Sequence, residues 1–336
     1  MTGAERATAR HRPVTGAATG ARTDAPPVEP GPIAILPDSD PAFVDAVRTA
    51  GGTVGPLGPA TRGLVWTSAD GEAELEDVLA AHPRLGWVQL PWAGVDAFAG
   101  LLARHRGDGR VWTSGKGAYA QPVAEHALAL ALAALREFPR RARADRWVAD
   151  ERGRSLYGSR VVILGAGGIA VELLRLLAPF EVEATVVRRA NAPVPGAART
   201  LTTDRLIDAL QGADVLFVVA ALTDETRGII DADALDALGE GAVLVNVARG
   251  GLVDTDALGA ALEAGRLGGA GLDVTDPEPL PPRHPLWSAP NCLVTPHVAD
   301  TDEMTAPLFA RRIAENTAAF LGAAPFEGRI DPAAGY

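Results

Sequence analysis

Short apolar runs recur along the chain, with stretches of helical spacing between them. The first, Ile33-Ala34-Ile35-Leu36, ends at Pro37-Asp38 and reads as a strand over 33–36. Runs at 63–66, 86–90 and 110–113 read the same way. A helix is predicted over 41–50, where Asp40 suits the N-cap, Pro41 the first helical position and Gly51-Gly52 the stop. A second is predicted over 72–81. Strands alternating with helices predict a parallel sheet with crossover helices. The stretch 122–144 is rich in Ala and Leu and apolar nearly all round. It predicts one long buried helix, a candidate subunit contact, with Arg140, Arg141 and Arg143 at its negative end. A second α/β unit then opens with a strand over 161–164 and a helix over 169–178. Further strands are expected over 184–187, 215–219, 242–247, 270–274 and 293–295, and a last helix over 302–321.

The 336 residues suit two domains, and 47% hydrophobic with 22% charged residues is ordinary for a globular protein. A net charge of −11 gives no electrostatic reason to bind nucleic acid or an anionic membrane. The apolar segment 127–135 is too short for a membrane span. One cysteine, Cys292, excludes an intrachain disulfide, and no Cys/His zinc spacing occurs, which fits a reducing cytoplasm and no metal. Residues 1–30 hold almost no large apolar side chain and read as a disordered tail. Glu5, Asp24 and Glu29 speak against a transit peptide there.

The segment Gly165-Ala166-Gly167-Gly168-Ile169-Ala170 follows a predicted strand and opens a predicted helix. In that context G-x-G-x-x-A is a dinucleotide-binding turn. Gly165 allows the sharp turn, Gly167 lets backbone approach a pyrophosphate, and Ala170 permits close helix–strand packing. Helix-start N–H groups then face the phosphates. At the end of the next strand an NAD site offers an acid to the ribose hydroxyls. This chain has Arg188-Arg189-Ala190-Asn191 there, two arginines and no acid. A guanidinium grips a 2′-phosphate that a carboxylate repels, so NADP is expected over NAD.

Three segments follow later predicted strands: Asn246-Val247-Ala248-Arg249-Gly250-Gly251, Leu272-Asp273-Val274-Thr275-Asp276-Pro277-Glu278-Pro279 and Thr295-Pro296-His297-Val298-Ala299. Ligands of open α/β sheets bind beyond the strands' carboxyl ends, so an Arg, a Glu and a His are expected to converge there. Those types suit carbonyl reduction. Histidine exchanges protons near neutral pH, and arginine takes a carboxylate bidentately and polarises an adjacent carbonyl. His126, on the long helix, reads as structural, and His284 has no assigned partner.

With these motifs the chain resembles the D-isomer-specific 2-hydroxyacid dehydrogenase family, which includes glyoxylate and hydroxypyruvate reductases. The resemblance covers about 31–325 and includes Ala93-Gly94-Val95-Asp96, Val123-Ala124-Glu125-His126-Ala127-Leu128, the glycine turn, Ala221-Leu222-Thr223-Asp224-Glu225-Thr226 and the three segments above. It implies a Rossmann dinucleotide-binding domain over 122–299, inserted in a flavodoxin-like substrate domain of 31–121 and 300–336. It implies that Arg249 binds the substrate carboxylate, His297 is the acid/base and Glu278 pairs with it. Gly165, Ala166, Gly167, Gly168, Ile169, Arg188, Arg189, Ala221, Leu222, Thr226, Val247, Ala248, Arg249, Asp273 and His297 would line the cofactor, Asp273 at the nicotinamide end. Ala93, Gly94 and Val95 would offer N–H groups to the carboxylate beside Trp92, which stands where smaller residues are frequent. A homodimer acting on a small 2-ketoacid or 2-hydroxyacid is implied.

Departures from the family pattern are few. Thr275 stands where Phe is common, and no clear basic pair in the first domain awaits a substrate phosphate, which disfavours 3-phosphoglycerate. Glu278, where formate-oxidising relatives carry Gln, disfavours formate but not phosphite. A non-catalytic dinucleotide sensor such as a corepressor would need the glycine turn but not Arg249, Glu278 and His297 together.

Overall fold

The computed structural model describes residues 28–332. The chain divides into two compact units, one of 120–301 and one of the residues on either side of it. In the outer unit, strands β1 (Ile33–Leu36), β2 (Gly63–Trp66), β3 (Trp87–Gln89) and β4 (Val111–Thr113) form a parallel sheet in sequence order. Helices α1 (Pro41–Thr49), α2 (Glu72–Ala81) and α3 (Ala99–Arg104) lie between them in the chain. The Asp40 side chain accepts from the Ala42 N–H and Pro41 opens α1. The apolar runs predicted as strands are buried, Leu64, Val65 and Trp66 among them. Glu29 lies in the stretch predicted as a tail, yet its carboxylate accepts from Arg62 at 3.2 Å, so the tail boundary at 30 is too late. The rest of that stretch, 1–27, lies outside the described residues.

The inner unit begins with α4 (Ala120–Leu135) and α5 (Phe138–Ala142). The single helix predicted over 122–144 is therefore two. Glu137 sits at φ 58° between them, and Pro139 follows two residues later. Pro139 has no N–H to give the Leu135 carbonyl, which accepts from the Arg154 N–H at 2.8 Å instead, so the helical ladder of α4 does not run on into α5. Next come β5 (Arg160–Leu164), α6 (Gly168–Leu177), β6 (Glu183–Arg188), β7 (Arg199–Thr202), α7 (Leu206–Leu210), β8 (Val215–Val218), α8 (Ala232–Ala237), β9 (Ala242–Asn246), α9 (Thr255–Glu263), β10 (Leu267–Leu272) and β11 (Cys292–Val294). The seven strands are all parallel in the order β11-β10-β9-β8-β5-β6-β7. The order reverses between β5 and β8, the position where such sheets bind ligands. The last helix, α10 (Asp302–Phe320), returns to the outer unit and packs on α1 and β3. There the buried Arg312 donates to the Ser114 and Lys116 carbonyls at 2.9 and 2.8 Å, fixing the loop after β4.

Strand β10 starts three residues earlier than its apolar pattern predicts, because Leu267-Gly268-Gly269-Ala270 has weak strand propensity. Glycine is required there by close neighbours. A Cβ on Gly268 would overlap the Gly241 backbone, and one on Gly271 would stand 2.6 Å from Leu130 of α4. So α4 lies directly on β10. Register then places Leu272 beside both Asn246 and Val294, which brings the ends of β9, β10 and β11 to one level. Among the described residues no helix is long and apolar enough to cross a membrane, and no group of three His, Cys, Asp or Glu is placed to hold a metal ion.

Candidate active site

The three segments beyond β9, β10 and β11 are tied to one another by backbone and side chain. Asn246, buried at the end of β9, accepts from the Ala248 N–H at 3.0 Å and donates to the Arg249 carbonyl at 2.9 Å. That closes a tight turn and presents the half-buried Arg249, whose Nη1 donates to the Ala248 carbonyl at 2.7 Å. Gly250 follows because a Cβ there would overlap the Thr275 carbonyl, so only glycine lets the second segment lie against the first.

Asp273, directly after β10, is 2% exposed. Its N–H donates to the Asn246 carbonyl, and its own carbonyl accepts from the His297 N–H at 2.8 Å. The carboxylate reaches into the third segment. Oδ1 accepts from the Thr295 hydroxyl at 2.5 Å and the Val298 N–H at 2.9 Å, and Oδ2 accepts from the Ala299 N–H at 3.0 Å. Burial by itself raises the acid's pKa, but the hydrogen bonds from His126, Thr295, Val298 and Ala299 outweigh it and hold the carboxyl below its usual range.

His297 is held between these anchors at φ 54°, left-handed backbone that a side-chain-bearing residue adopts only when its surroundings impose it. Its Nδ1 lies 2.6 Å from Glu278 Oε1, with both side chains about half exposed. An ionised Glu278 accepts the Nδ1 proton, which fixes the ring's orientation and leaves Nε2 for proton exchange. Of the three expected catalytic side chains, Glu278 and His297 are in contact, and Arg249 stands on the neighbouring strand end. Asp300 was not foreseen. Burial pushes its carboxyl up, while the charges of His297 and Arg249 pull it back, so it lies within electrostatic reach of both. The only signal in the sequence was an acid three positions after His297.

The glycine turn sits between β5 and α6 at the sheet's reversal. Gly165 has φ 114°, and a Cβ there would stand 2.7 Å from the Val219 carbonyl oxygen of the crossing chain. Around a Cβ on Gly167 there is open space, and no side chain caps the start of α6. Open backbone at an uncapped helix start is what a pyrophosphate needs, so the turn fits a dinucleotide. Ala166, Gly168 and Ile169 complete that turn, and Ala170 is fully buried against the sheet. Beyond β8, the Thr226 hydroxyl donates to the Ala221 carbonyl at 2.8 Å and folds the loop carrying Leu222. Val247 and Ala248 are mostly buried below Arg249. Arg188 ends β6 and reaches the Ala192 carbonyl at 3.4 Å, beside the exposed Arg189. Trp92, Ala93, Gly94 and Val95 belong to the outer unit, where the Trp92 ring centroid lies 5.9 Å from that of Tyr119 and Val95 is buried.

A depressed carboxyl pKa stabilises the fold above the unfolded acid's pKa, and that contribution is lost as pH falls through the folded value. Amide hydrogen exchange over 295–301, corrected for intrinsic rates, should therefore be slow and independent of pH above the ordinary carboxylate range, quicken progressively as pH falls below the unfolded acid's value, and level off once Asp273 itself takes up a proton in the fold. Exchange that does not respond to pH across that window would show that the carboxyl is not held down.

Residues 126–299 match the family model of the D-isomer specific 2-hydroxyacid dehydrogenase NAD-binding domain. A protein of Corynebacterium melassecola without an assigned function is 38% identical over 74% of this chain and 83% of its own. Glyoxylate reductase of Aeropyrum pernix is 32% identical over 76% of this chain and 78% of its own. D-3-phosphoglycerate dehydrogenase of Mycobacterium tuberculosis is 34% identical over 66% of this chain and 42% of its own. A D-isomer specific 2-hydroxyacid dehydrogenase from Xanthobacter autotrophicus Py2, solved with NADPH and MES, superposes with a TM-score of 0.76 at 29% identity, covering 92% of this chain and all of that one. With a Rossmann unit of seven parallel strands and these relatives, the chain belongs to the D-isomer specific 2-hydroxyacid dehydrogenase family, whose members are NAD(P)-dependent oxidoreductases.

Proposed function

We propose that this enzyme reduces a small 2-ketoacid of the glyoxylate or hydroxypyruvate type to the D-2-hydroxyacid, or runs the reverse oxidation, with NADP preferred over NAD. The observation that carries the catalytic part is the 2.6 Å contact of His297 with Glu278 at the strand ends beside Arg249. Arg249 takes the substrate carboxylate and polarises the adjacent carbonyl. A dihydronicotinamide held at the Gly165–Gly168 turn would supply the hydride that the carbonyl carbon takes. His297, protonated and steadied at Nδ1 by Glu278, gives its Nε2 proton to the carbonyl oxygen; in oxidation it takes that proton back. The Gly165–Gly168 turn and the start of α6 hold the pyrophosphate, with Ala221, Leu222, Thr226, Val247 and Ala248 along the cofactor. The backbone of Ala93, Gly94 and Val95 takes the substrate carboxylate, and Trp92 limits the substrate's bulk.

The relatives include both glyoxylate reductase and phosphoglycerate dehydrogenase. A small substrate is favoured because the sequence over 31–121 shows no clear basic pair for a substrate phosphate. NADP is favoured by Arg188 and Arg189, with no acid, where β6 ends. A homodimer is favoured by the exposed Phe138, Trp147 and Val148 on the stretch after α4.

Two measurements test this reading. Purified protein should oxidise NADPH with glyoxylate or hydroxypyruvate and prefer it to NADH by about tenfold or more. Arg188→Ser with Arg189→Ser should cut that preference to near unity. Preference for NADH in the parent would remove the role given to these arginines. Arg249→Ala should lower kcat/KM by about 100-fold or more while dinucleotide Kd changes little. An Arg249→Ala enzyme with parental turnover would move carboxylate recognition elsewhere.

A further inference from the structure

His126, read from sequence as a structural residue of α4, has a specific partner. Its Nε2 lies 3.0 Å from the Thr295 hydroxyl and 3.5 Å from Asp273 Oδ1. The direction of these bonds follows from counting protons. Asp273 is ionised and only accepts, so the Thr295 hydroxyl gives it the one proton that it has, at 2.5 Å. The oxygen of Thr295 must then accept from His126, which therefore carries its proton on Nε2. The result is a directed line of donors, His126 to Thr295 to Asp273. The same Asp273 carboxylate then receives the Val298 and Ala299 N–H groups that flank His297 on its far side. On the near side the Thr295 carbonyl and the Asp273 carbonyl share the His297 N–H at 3.0 and 2.8 Å. His297, in left-handed backbone, thus sits on a loop whose two ends converge on one carboxylate.

The anchor of this line is rigid. His126 rides on α4, which lies on β10 through the Gly271–Leu130 contact and also packs on β9 and β11. Without its donor, the Thr295 hydroxyl is no longer held by an acceptor role and is free to rotate away from Asp273. The carboxylate then loses its shortest bond and its fixed orientation toward the Val298 and Ala299 N–H groups.

We infer that His126 is a positioning residue of the active site: through Thr295 and Asp273 it sets the conformation of the loop carrying His297. This rests on His297 acting as the acid/base. Glu278 orients the imidazole, and His126 places the backbone from which it projects. Neither His126 nor Thr295 touches substrate in this account.

The test compares His126→Leu, which removes the donor, with His126→Gln, whose amide N–H reaches toward the same hydroxyl. In the cofactor-free protein, hydrogen exchange of the peptide spanning 295–301 should quicken about tenfold or more in His126→Leu. It should stay near parental in His126→Gln, with exchange elsewhere in α4 unchanged in both. In turnover, kcat should fall about tenfold or more in His126→Leu, with dinucleotide Kd within about twofold of the parent, and be largely restored in His126→Gln. If His126→Leu does not fold, Thr295→Val against Thr295→Ser makes the same comparison, since serine keeps the hydroxyl. Parental exchange over 295–301 in His126→Leu, or equal losses in the two members of a pair, overturns the inference. A parent inert toward every 2-ketoacid would overturn the proposed reaction instead, and the exchange comparison would still decide the role of His126.

Discussion

The Asp273 carboxylate is buried at the end of β10 and satisfied by a hydroxyl and two backbone N–H groups from the β11 loop. A charge taken out of water costs several kcal/mol unless its hydrogen bonds are replaced, so this group must be met by donors in fixed places. Meeting it leaves the chain from Thr295 to Ala299 little freedom. His297 projects from the middle of that constrained run, and its unusual backbone conformation is what the constraint imposes. Asn246 performs the equivalent service one strand over. Its buried amide closes the turn that presents Arg249 and its carbonyl receives the Asp273 N–H. Arg249, Glu278 and His297 are thus half-buried or exposed, while the polar groups that place them, Asn246 and Asp273, are buried.

The parallel sheet supplies the larger geometry. Because Leu272 registers with both Asn246 and Val294, three loops distant in sequence leave the sheet at one level. Glycine makes the packing close enough: Gly271 lets α4 onto β10, Gly250 lets the β9 loop onto the β10 loop, and Gly165 lets the dinucleotide turn pass Val219. Each is a place where a Cβ would meet backbone or core, so the glycines are structural demands of the site rather than flexible joints.

Much of this was legible in the sequence, and the reasons differ by feature. Buried strands such as 63–66 and 242–246 show as continuous apolar runs because both faces are covered. The glycine turn shows because a strand–turn–helix junction this tight needs glycine, and the Arg249, Glu278 and His297 segments show because reactive residue types recur just after predicted strands. Strand β7 was missed because it is an edge strand, half exposed and without an apolar run. The break at Glu137 was missed because composition stayed helical, although Pro139 marked it. The partners of Asp273 could not be seen at all. They lie 22 to 26 positions away, and nothing short of the fold brings Thr295, Val298 and Ala299 to that carboxylate. His126 lies 169 positions from Thr295 and was for the same reason taken as structural.

If Asp273 positions His297, changing its carboxylate alone must displace the imidazole. Asp273→Asn keeps the size of the side chain but sets an N–H donor against backbone N–H donors, so the loop cannot be held as before. The direct measurement is the single-turnover rate of hydride transfer with saturating NADPH and 2-ketoacid, which removes binding from the comparison. The expected rate is about 100-fold below the parent's or lower, as misplacement of an acid/base by about 1 Å produces. A parental rate in Asp273→Asn would show that His297 finds its place without that carboxylate and would contradict the account.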